Sequence, residues 1–397
     1  MEINNQKNDQ NIIPNDADKP QKGVNVPNLR FNHFDYKWNK VQLKNIVNVY
    51  DGTHQTPRYT KHGVQFVSVE DIKTLDKATK YISEEDFKNE FKISPKYGDI
   101  LMTRIGDIGT PAIVYNNNEL AYYVSLALLK PKKVLSSFLK FAIEANAFQK
   151  ELWKRSIHVA FPKKINKEEI GECKLSIPSN EEQKQVAELL LKIDERILTQ
   201  SKIIEKYESL ISTIRTNIFS SFQCKWIKIC DLVENKSLQL NRGNIIPKHP
   251  KDDVYKYPVY SSSVQKDGLM GYSDYYMFDK ELITWSIDGG GDIFFREKHK
   301  FCVTNVCGIL QLDTNKFSYR FVAEALKYQH SKMTFDYQTK AHPSVIEKLY
   351  ALPDIELNEQ NKYSKLFEVL YSKLGNERKY LEIIKEQKKY LLSNMFI

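Results

Sequence analysis

The chain has 397 residues, long enough for two or three domains with cores of their own. Its 59 Lys and Arg against 50 Asp and Glu give a formal charge of +9, which favours a polyanionic partner without requiring one, since an evenly solvated basic surface gives the same totals. Five cysteines without a CxxC spacing argue against a disulfide framework and a zinc cluster and fit a reducing cytoplasm, and no apolar run approaches the roughly 20 residues that span a bilayer.

In chain order, residues 1–35 are expected to be a disordered polar leader. MEINNQKNDQNIIPNDADKPQKG is rich in Asn, Asp, Gln, Lys and Pro and lacks the apolar centre of a signal peptide. Residues 36–180 show short β-like runs (QFVSV, DILMT, AIVY, YYVSLALL) broken by turn clusters such as VYNNNEL, then a helix-like stretch, SSFLKFAIEANAFQKELWKRS. This predicts an α+β domain.

Its polar candidates lie in expected loops. His54, Gln55, Thr56, Arg58 and Tyr59, with Lys61 behind them, cluster on a turn; Arg and Gln can bond guanine and adenine edges bidentately, while Thr and Tyr reach phosphate or a thymine methyl. The same cluster also reads as a solvated loop. Arg104, between Thr103 and the GDIG turn, is expected to be projected by a Gly-bounded loop. Trp153, Lys154, Arg155 and His158 lead to Lys163 and Lys164, a basic and partly aromatic stretch suited to a phosphate backbone or to the wet end of a helix.

Residues 181–221 change character. From Glu181 to Phe219 there is no Gly and no Pro, and Val186, Leu190, Ile193, Ile197, Gln200, Ile204, Tyr207, Ile211, Ile214 and Ile218 alternate steps of four and three. This predicts one long helix with an apolar seam and a polar break at Gln200.

Residues 222–357 repeat the first pattern, with YPVYSS, ELITWSI, DIFF and CGILQL followed by KFSYRFVAEALKYQHSKM. The candidates here are Ser261, Ser262, Ser263, Lys266 and Tyr272, then Ser286 and Asp288 on a Gly-rich turn. Arg296, Lys298, His299 and Lys300 form the densest basic run, and Gln338, Lys340, His342 and Ser344 occupy the place of His158–Lys164. Residues 358–397 carry a second seam: Tyr363, Phe367, Leu370, Leu374, Glu377, Leu381, Ile384, Lys388, Leu391 and Met395. Its polar break, Glu377, falls at the place equivalent to Gln200.

The halves match in order at a spacing of about 180 residues, far longer than a solenoid unit. KWNKVQLKNIVNV corresponds to KWIKICDLVEN, GDILMTRIGDIG to KELITWSIDGGG, FAIEA to FVAEA, and Glu182-Gln183 to Glu359-Gln360. The expected fold is therefore two tandem α+β domains separated by a pair of long helices with pseudo-twofold symmetry. The second domain starts a few residues after the first helix ends, so a helix returning along it must run antiparallel.

These features together resemble the specificity subunits of Type I restriction–modification enzymes. The similarity covers about residues 36 to 397 and includes DGTHQTPRY before FVSVEDI, YGDILMTRIGDIGTPAIV, YPVYSSSVQKDGLMGY, FDKELITWSIDGGGDIFF and the Glu-Gln pair before each helix. Pro178 and Pro353 supply only part of the proline richness usual at those junctions.

The resemblance implies two DNA target-recognition domains and no catalytic site. It also implies double-stranded DNA and two methyltransferase subunits as partners, with restriction and translocase subunits as optional further ones. S-adenosylmethionine, ATP and magnesium would belong to those partners. The residues agree: there is no NPPY-like segment and no Walker A string, the histidines lack metal-ligand spacing, and Pro353-Asp354 with Glu356 is followed by no ExK strand. A stand-alone DNA-binding regulator and a coiled-coil adaptor remain as other readings of the same residues.

Overall fold

The computed structural model describes residues 25–55, 57–159, 161–263, 265–288, 292–333 and 341–397. Residues 1–24 of the expected leader, Thr56, Gln338 and Lys340 lie outside the described residues. The chain divides into two compact units, one of Met1–Thr199 with Leu381–Ile397 and one of Gln200–Tyr380. Each long helix thus contributes to both units, whereas the sequence pattern predicts 181–221 and 358–397 as segments apart from the domains.

The first domain runs β1 (Asn39–Gln42), β2 (Val47–Asp51), β3 (Val64–Val67), β4 (Lys80–Ile82), α1 (Glu84–Glu90), β5 (Ile100–Ile105), β6 (Asp107–Ile113), β7 (Leu120–Tyr122), β8 (Leu126–Pro131), α2 (Ser136–Glu144), α3 (Asn146–Arg155), α4 (Lys167–Glu172) and β9 (Lys174–Ile177), and α5 (Asn180–Ser221) follows. The second runs β10 (Trp226–Lys228), α6 (Ile229–Glu234), β11 (Leu238–Arg242), β12 (Tyr257–Tyr260), β13 (Leu269–Ser273), β14 (Phe278–Ser286), β15 (Ile293–Val303), β16 (Cys307–Leu312), α7 (Tyr319–His330), α8 (Pro343–Leu349) and β17 (Ala351–Pro353), and ends in α9 (Leu357–Asn394).

The repeat is visible strand by strand. The first domain has an antiparallel sheet in the order β2-β8-β5-β6; the second has β11-β16-β14-β15, extended by β12 and β13. In each, the strand after the Lys-Trp pair zips onto the strand before the long helix, β1 on β9 and β10 on β17. The central strands read as continuous apolar runs because both faces are covered. Ile100 and Met102 of β5 enter one core with Ala127 and Leu129, while Leu101 enters a second core with Leu126 and Leu128.

The start of each long helix locks onto its domain by one device. Gln183 Oε1 accepts the Leu135 N–H (3.0 Å) just before α2, and Gln360 Oε1 accepts the Ser318 N–H (3.0 Å) just before α7. Both glutamines are almost fully buried, and each satisfies a helix-terminal donor that would otherwise be orphaned. The glutamates beside them diverge. Glu182 is buried against Arg30 (2.7 Å) and Trp38 Nε1 (3.1 Å), whereas Glu359 is exposed.

The seam holds along both helices. Val186, Leu190, Ile193, Ile197, Ile204, Ile211 and Ile214 on α5, and Leu370, Leu374, Leu381, Ile384 and Leu391 on α9, are all buried or half-buried. In the first unit Lys388 meets Asp194 at 2.7 Å, and Met395 and Phe396 join the core that holds Val186 and Leu190. In the second unit Arg378 meets Glu208 (2.7 Å) and Arg215 Nη2 donates to the Tyr371 hydroxyl (3.0 Å). Numbers rise on one helix as they fall on the other, so the segments are antiparallel within each unit. The two polar breaks face each other, with Gln200 Nε2 donating to Glu377 Oε2 (2.6 Å) and to its carbonyl (3.1 Å).

Gly375 lies inside α9, and a methyl group added there would meet nothing within 4 Å. Gly375→Ala should therefore stabilise the second unit by roughly 0.5–1 kcal/mol, because Gly loses more backbone entropy in a helix. A denaturation midpoint that stayed put or fell would contradict this.

Candidate nucleic-acid interface

In the first domain the loop after β2 starts at Gly52, where a Cβ would lie 2.5 Å from the Tyr122 carbonyl oxygen; Gly243 after β11 is crowded in the same way. Only glycine allows this approach. The loop then presents His54, Gln55, Arg58 and Lys61 to solvent. Tyr59 anchors it edge-on to Phe66 at 5.7 Å, with half its surface open.

Arg104 does not stand on a projecting loop. β5 continues through it, and it is 6% exposed. One guanidinium nitrogen pairs with Asp51, and Nε donates to the Ile165 carbonyl (3.0 Å). A buried guanidinium needs such partners, so this cation ties β2 and the segment before α4 to the central strand.

That segment carries two fully exposed apolar side chains. Ile157 and Lys164 pair across it (2.8 Å), and the Gly106 N–H donates to the Lys163 carbonyl (2.8 Å). Val159 and Phe161 at the tip are 98% and 102% exposed. Behind them the Trp153 ring carries His158 at 4.0 Å and the Lys163 ammonium at 4.7 Å. Lys164 is exposed; Lys154 and Arg155 are ion-paired with Glu151 (3.2 Å) and Glu169 (3.1 Å). The tip thus combines bare apolar side chains with lysines, a pairing that can stack on bases and contact phosphates.

In the second domain Lys298 and Lys300 point out from β15, and Lys300 lies 4.6 Å over the Tyr276 ring. His299 is half-buried, 3.1 Å from the Tyr260 hydroxyl. Ser263 and Lys266 are exposed on the turn between β12 and β13, while Ser262 and Tyr272 are half-buried. Exposed His342 sits just before α8, 3.5 Å from Arg242.

Two residues expected on the surface are withdrawn from solvent. Ser286 is fully buried, within reach of the carbonyls of Ser262 (2.9 Å) and Asp288, so it holds the turn that Asp288 belongs to. Arg296 is 4% exposed: β15 carries it inward, where Nε donates to Thr284 Oγ1 (3.0 Å) and Nη1 to the Asp267 carbonyl (2.7 Å). Burial lowers its pKa to about 10, which leaves it charged at neutral pH. Sequence reasoning misses the cations from other elements that line one cavity with it, Lys251, Arg320, Lys327 and Arg378, because no short string marks them.

Among the described residues no group of three or more His, Cys, Asp or Glu could hold a metal ion, and no helix is long and apolar enough to cross a membrane.

A family model described as the Type I restriction modification DNA specificity domain matches residues 36–208 and 226–386. A putative type I specificity subunit of Mycoplasma pneumoniae is 28% identical over 173 residues, which cover 42% of this chain and 45% of the relative. A second from the same organism is 33% identical over 130 residues, 31% of this chain and 42% of the relative. The chain thus spans about half the length of these curated relatives. The crystal structure of a Type-I restriction-modification system S subunit from M. genitalium superposes with a TM-score of 0.59 at 17% identity, covering 94% of this chain and 99% of that one, a likeness of fold.

Proposed function

The chain belongs to the Type I restriction modification DNA specificity domain family, and on that premise we propose that it is a non-catalytic specificity subunit whose two domains each read one half of a bipartite DNA site. The observation that carries this reading is the duplicated domain. Two copies share one four-strand order and one closure onto a long helix, and each bears its own exposed basic set. In the first copy that set is His54, Arg58, Lys61, Lys163 and Lys164, beside Gln55 and Phe161; in the second it is Lys266, Lys298, Lys300 and His342. Arg and Gln supply the donors for base edges and Lys supplies phosphate contacts.

On this reading the partners are two adenine-methyltransferase subunits, which bind S-adenosylmethionine. Restriction and translocase subunits that use ATP and magnesium join where they are present. The chain works in the cytoplasm, as its unpaired cysteines suit.

The test is to purify the chain with and without a Type I methyltransferase subunit from the same organism and to sequence the modified adenines. The expected result is methylation only by the complex, at one two-part sequence. Methyl transfer by the chain alone, or a chain that fails to bind duplex DNA at any salt concentration, would overturn the proposal.

A further inference from the structure

The second unit contains a groove of about 650 Å³ bounded by the β12–β13 hairpin, β15, α7 and α9. Lys251, Lys266, Arg296, Arg320, Lys327 and Arg378 line it, against the carboxylates of Asp267 and Glu297. Its two innermost cations are nearly withdrawn from solvent, Arg296 at 4% and Arg320 at 7% exposed. Arg296 lies between the rings of Tyr260 (3.8 Å) and Phe294 (4.7 Å), and its Nη2 has no hydrogen-bond partner. Arg320 lies over Phe295 (3.8 Å) and beside Tyr371 (4.9 Å). Its Nε is likewise without a hydrogen-bond partner, and it reaches the exposed Glu297 only at 3.5 Å. A buried guanidinium N–H without an acceptor is costly, and the two side chains that carry one line the same cavity.

The first unit supplies an internal comparison. Lys140 stands where the repeat places Arg320, and Asp194 where it places Tyr371. The corresponding cavity, about 990 Å³, is lined by Lys140 and Lys388 together with Glu144 and Asp194. There Lys140 pairs with Asp194 and with Glu144 (3.3 Å), and Lys388 pairs with both carboxylates at 2.7 Å. The second copy has the Tyr371 phenol in place of the Asp194 carboxylate and Arg320 in place of Lys140, while Glu324, in the place of Glu144, is taken up by Arg215 and Lys327. That copy therefore places two planar guanidinium groups in the cavity lining, each with one N–H that has no acceptor, and such groups suit phosphate oxygens.

We propose that this groove is a phosphate-binding site, centred on Arg296 and Arg320, that the first unit lacks. The phosphate belongs either to the backbone of a bound duplex or to a free polyphosphate compound. The duplex arm rests on the DNA reading above; the site itself does not.

The full chain would be titrated calorimetrically with sodium tripolyphosphate at fixed ionic strength, then again with a duplex of random sequence present. Wild type should bind tripolyphosphate, and Arg320→Met should weaken it by about tenfold or more, as loss of a charge-assisted contact does. Because Arg320 is buried, Lys251→Ala and Lys266→Ala, both on exposed rim positions, serve as variants that keep the fold, and each should weaken binding severalfold. Lys385→Ala beside the first unit's cavity should change nothing. Displacement of tripolyphosphate by the duplex supports the groove as a backbone seat, and binding of both together supports a site for a free phosphate compound. Absence of tripolyphosphate binding, or binding indifferent to all three groove variants, overturns the site even if the chain still binds DNA. Intact tripolyphosphate binding by a chain that binds no duplex supports the site and removes the DNA reading instead.

Discussion

Replacing Glu324 by Ala is expected to cost the second unit about 3–5 kcal/mol, because it leaves buried cations without their counter-charge. Glu324 on α7 is 0% exposed. Arg215 of α5 donates to it at 2.7 Å, Lys327 lies 3.4 Å away, and the Tyr371 hydroxyl of α9 donates at 3.3 Å. Both long helices are thus fastened to the domain through one carboxylate. Burial alone would raise the pKa of that carboxyl, but Lys327 and Arg215 outweigh burial and hold it below the usual carboxylate range. A carboxyl depressed in the folded state contributes stability at pH values above its unfolded pKa. That contribution is lost as the pH falls through the folded value. Urea midpoints of the wild type should therefore drop on the acid side, and Glu324→Gln should flatten that drop while lowering the plateau. Equal midpoints for wild type and both variants at neutral pH would show that the cluster adds nothing to stability.

The large-scale order was legible in the sequence because it rests on periodicity, and periodicity is local. The alternation of four- and three-residue steps located α5 and α9, and the matched polar breaks Gln200 and Glu377 turned out to bond each other. The repeated Glu-Gln pair was visible as a string, but its use was not. Gln183 and Gln360 accept N–H groups 48 and 42 residues away, a relation that no short window contains. The same limit explains the misplaced arginines. Arg104 is expected on a Gly-bounded loop and Arg296 in a basic run, and neither string contains the distant groups that bury them. Arg104 is satisfied by Asp51 and Ile165, 53 and 61 residues distant, and Arg296 in part by the Asp267 carbonyl, 29 residues distant. Ser286 is expected on a Gly-rich turn, yet β14 extends to it and buries it. Charge and polarity place a residue outside only by default, and tertiary partners override that default. The exposed tip at Val159 and Phe161 had the opposite fate, since its apolar letters gave no reason to expect them bare.

That tip should separate two kinds of DNA contact in a single experiment. On the proposed reading Lys163 and Lys164 neutralise phosphates, while Phe161, fully exposed beside them, stacks on or between bases. Each phosphate contact removed lowers the slope of log affinity against log salt by about 0.9, so changing both lysines to Ala should flatten it by roughly 2. Phe161→Ala should leave the slope alone and cost about 1–3 kcal/mol, the worth of one base–aromatic stack and up to about a hundredfold in affinity. Phe161 packs against nothing that its loss would open, so the variant should melt with the wild type. Footprints should weaken over the half-site read by the first domain and stay unchanged over the other. A lysine variant with an unaltered slope, together with a Phe161→Ala variant of unaltered affinity, would place the tip away from the duplex. The loop after β2, with His54, Gln55 and Arg58 exposed on it, would then be left as the reader in the first domain.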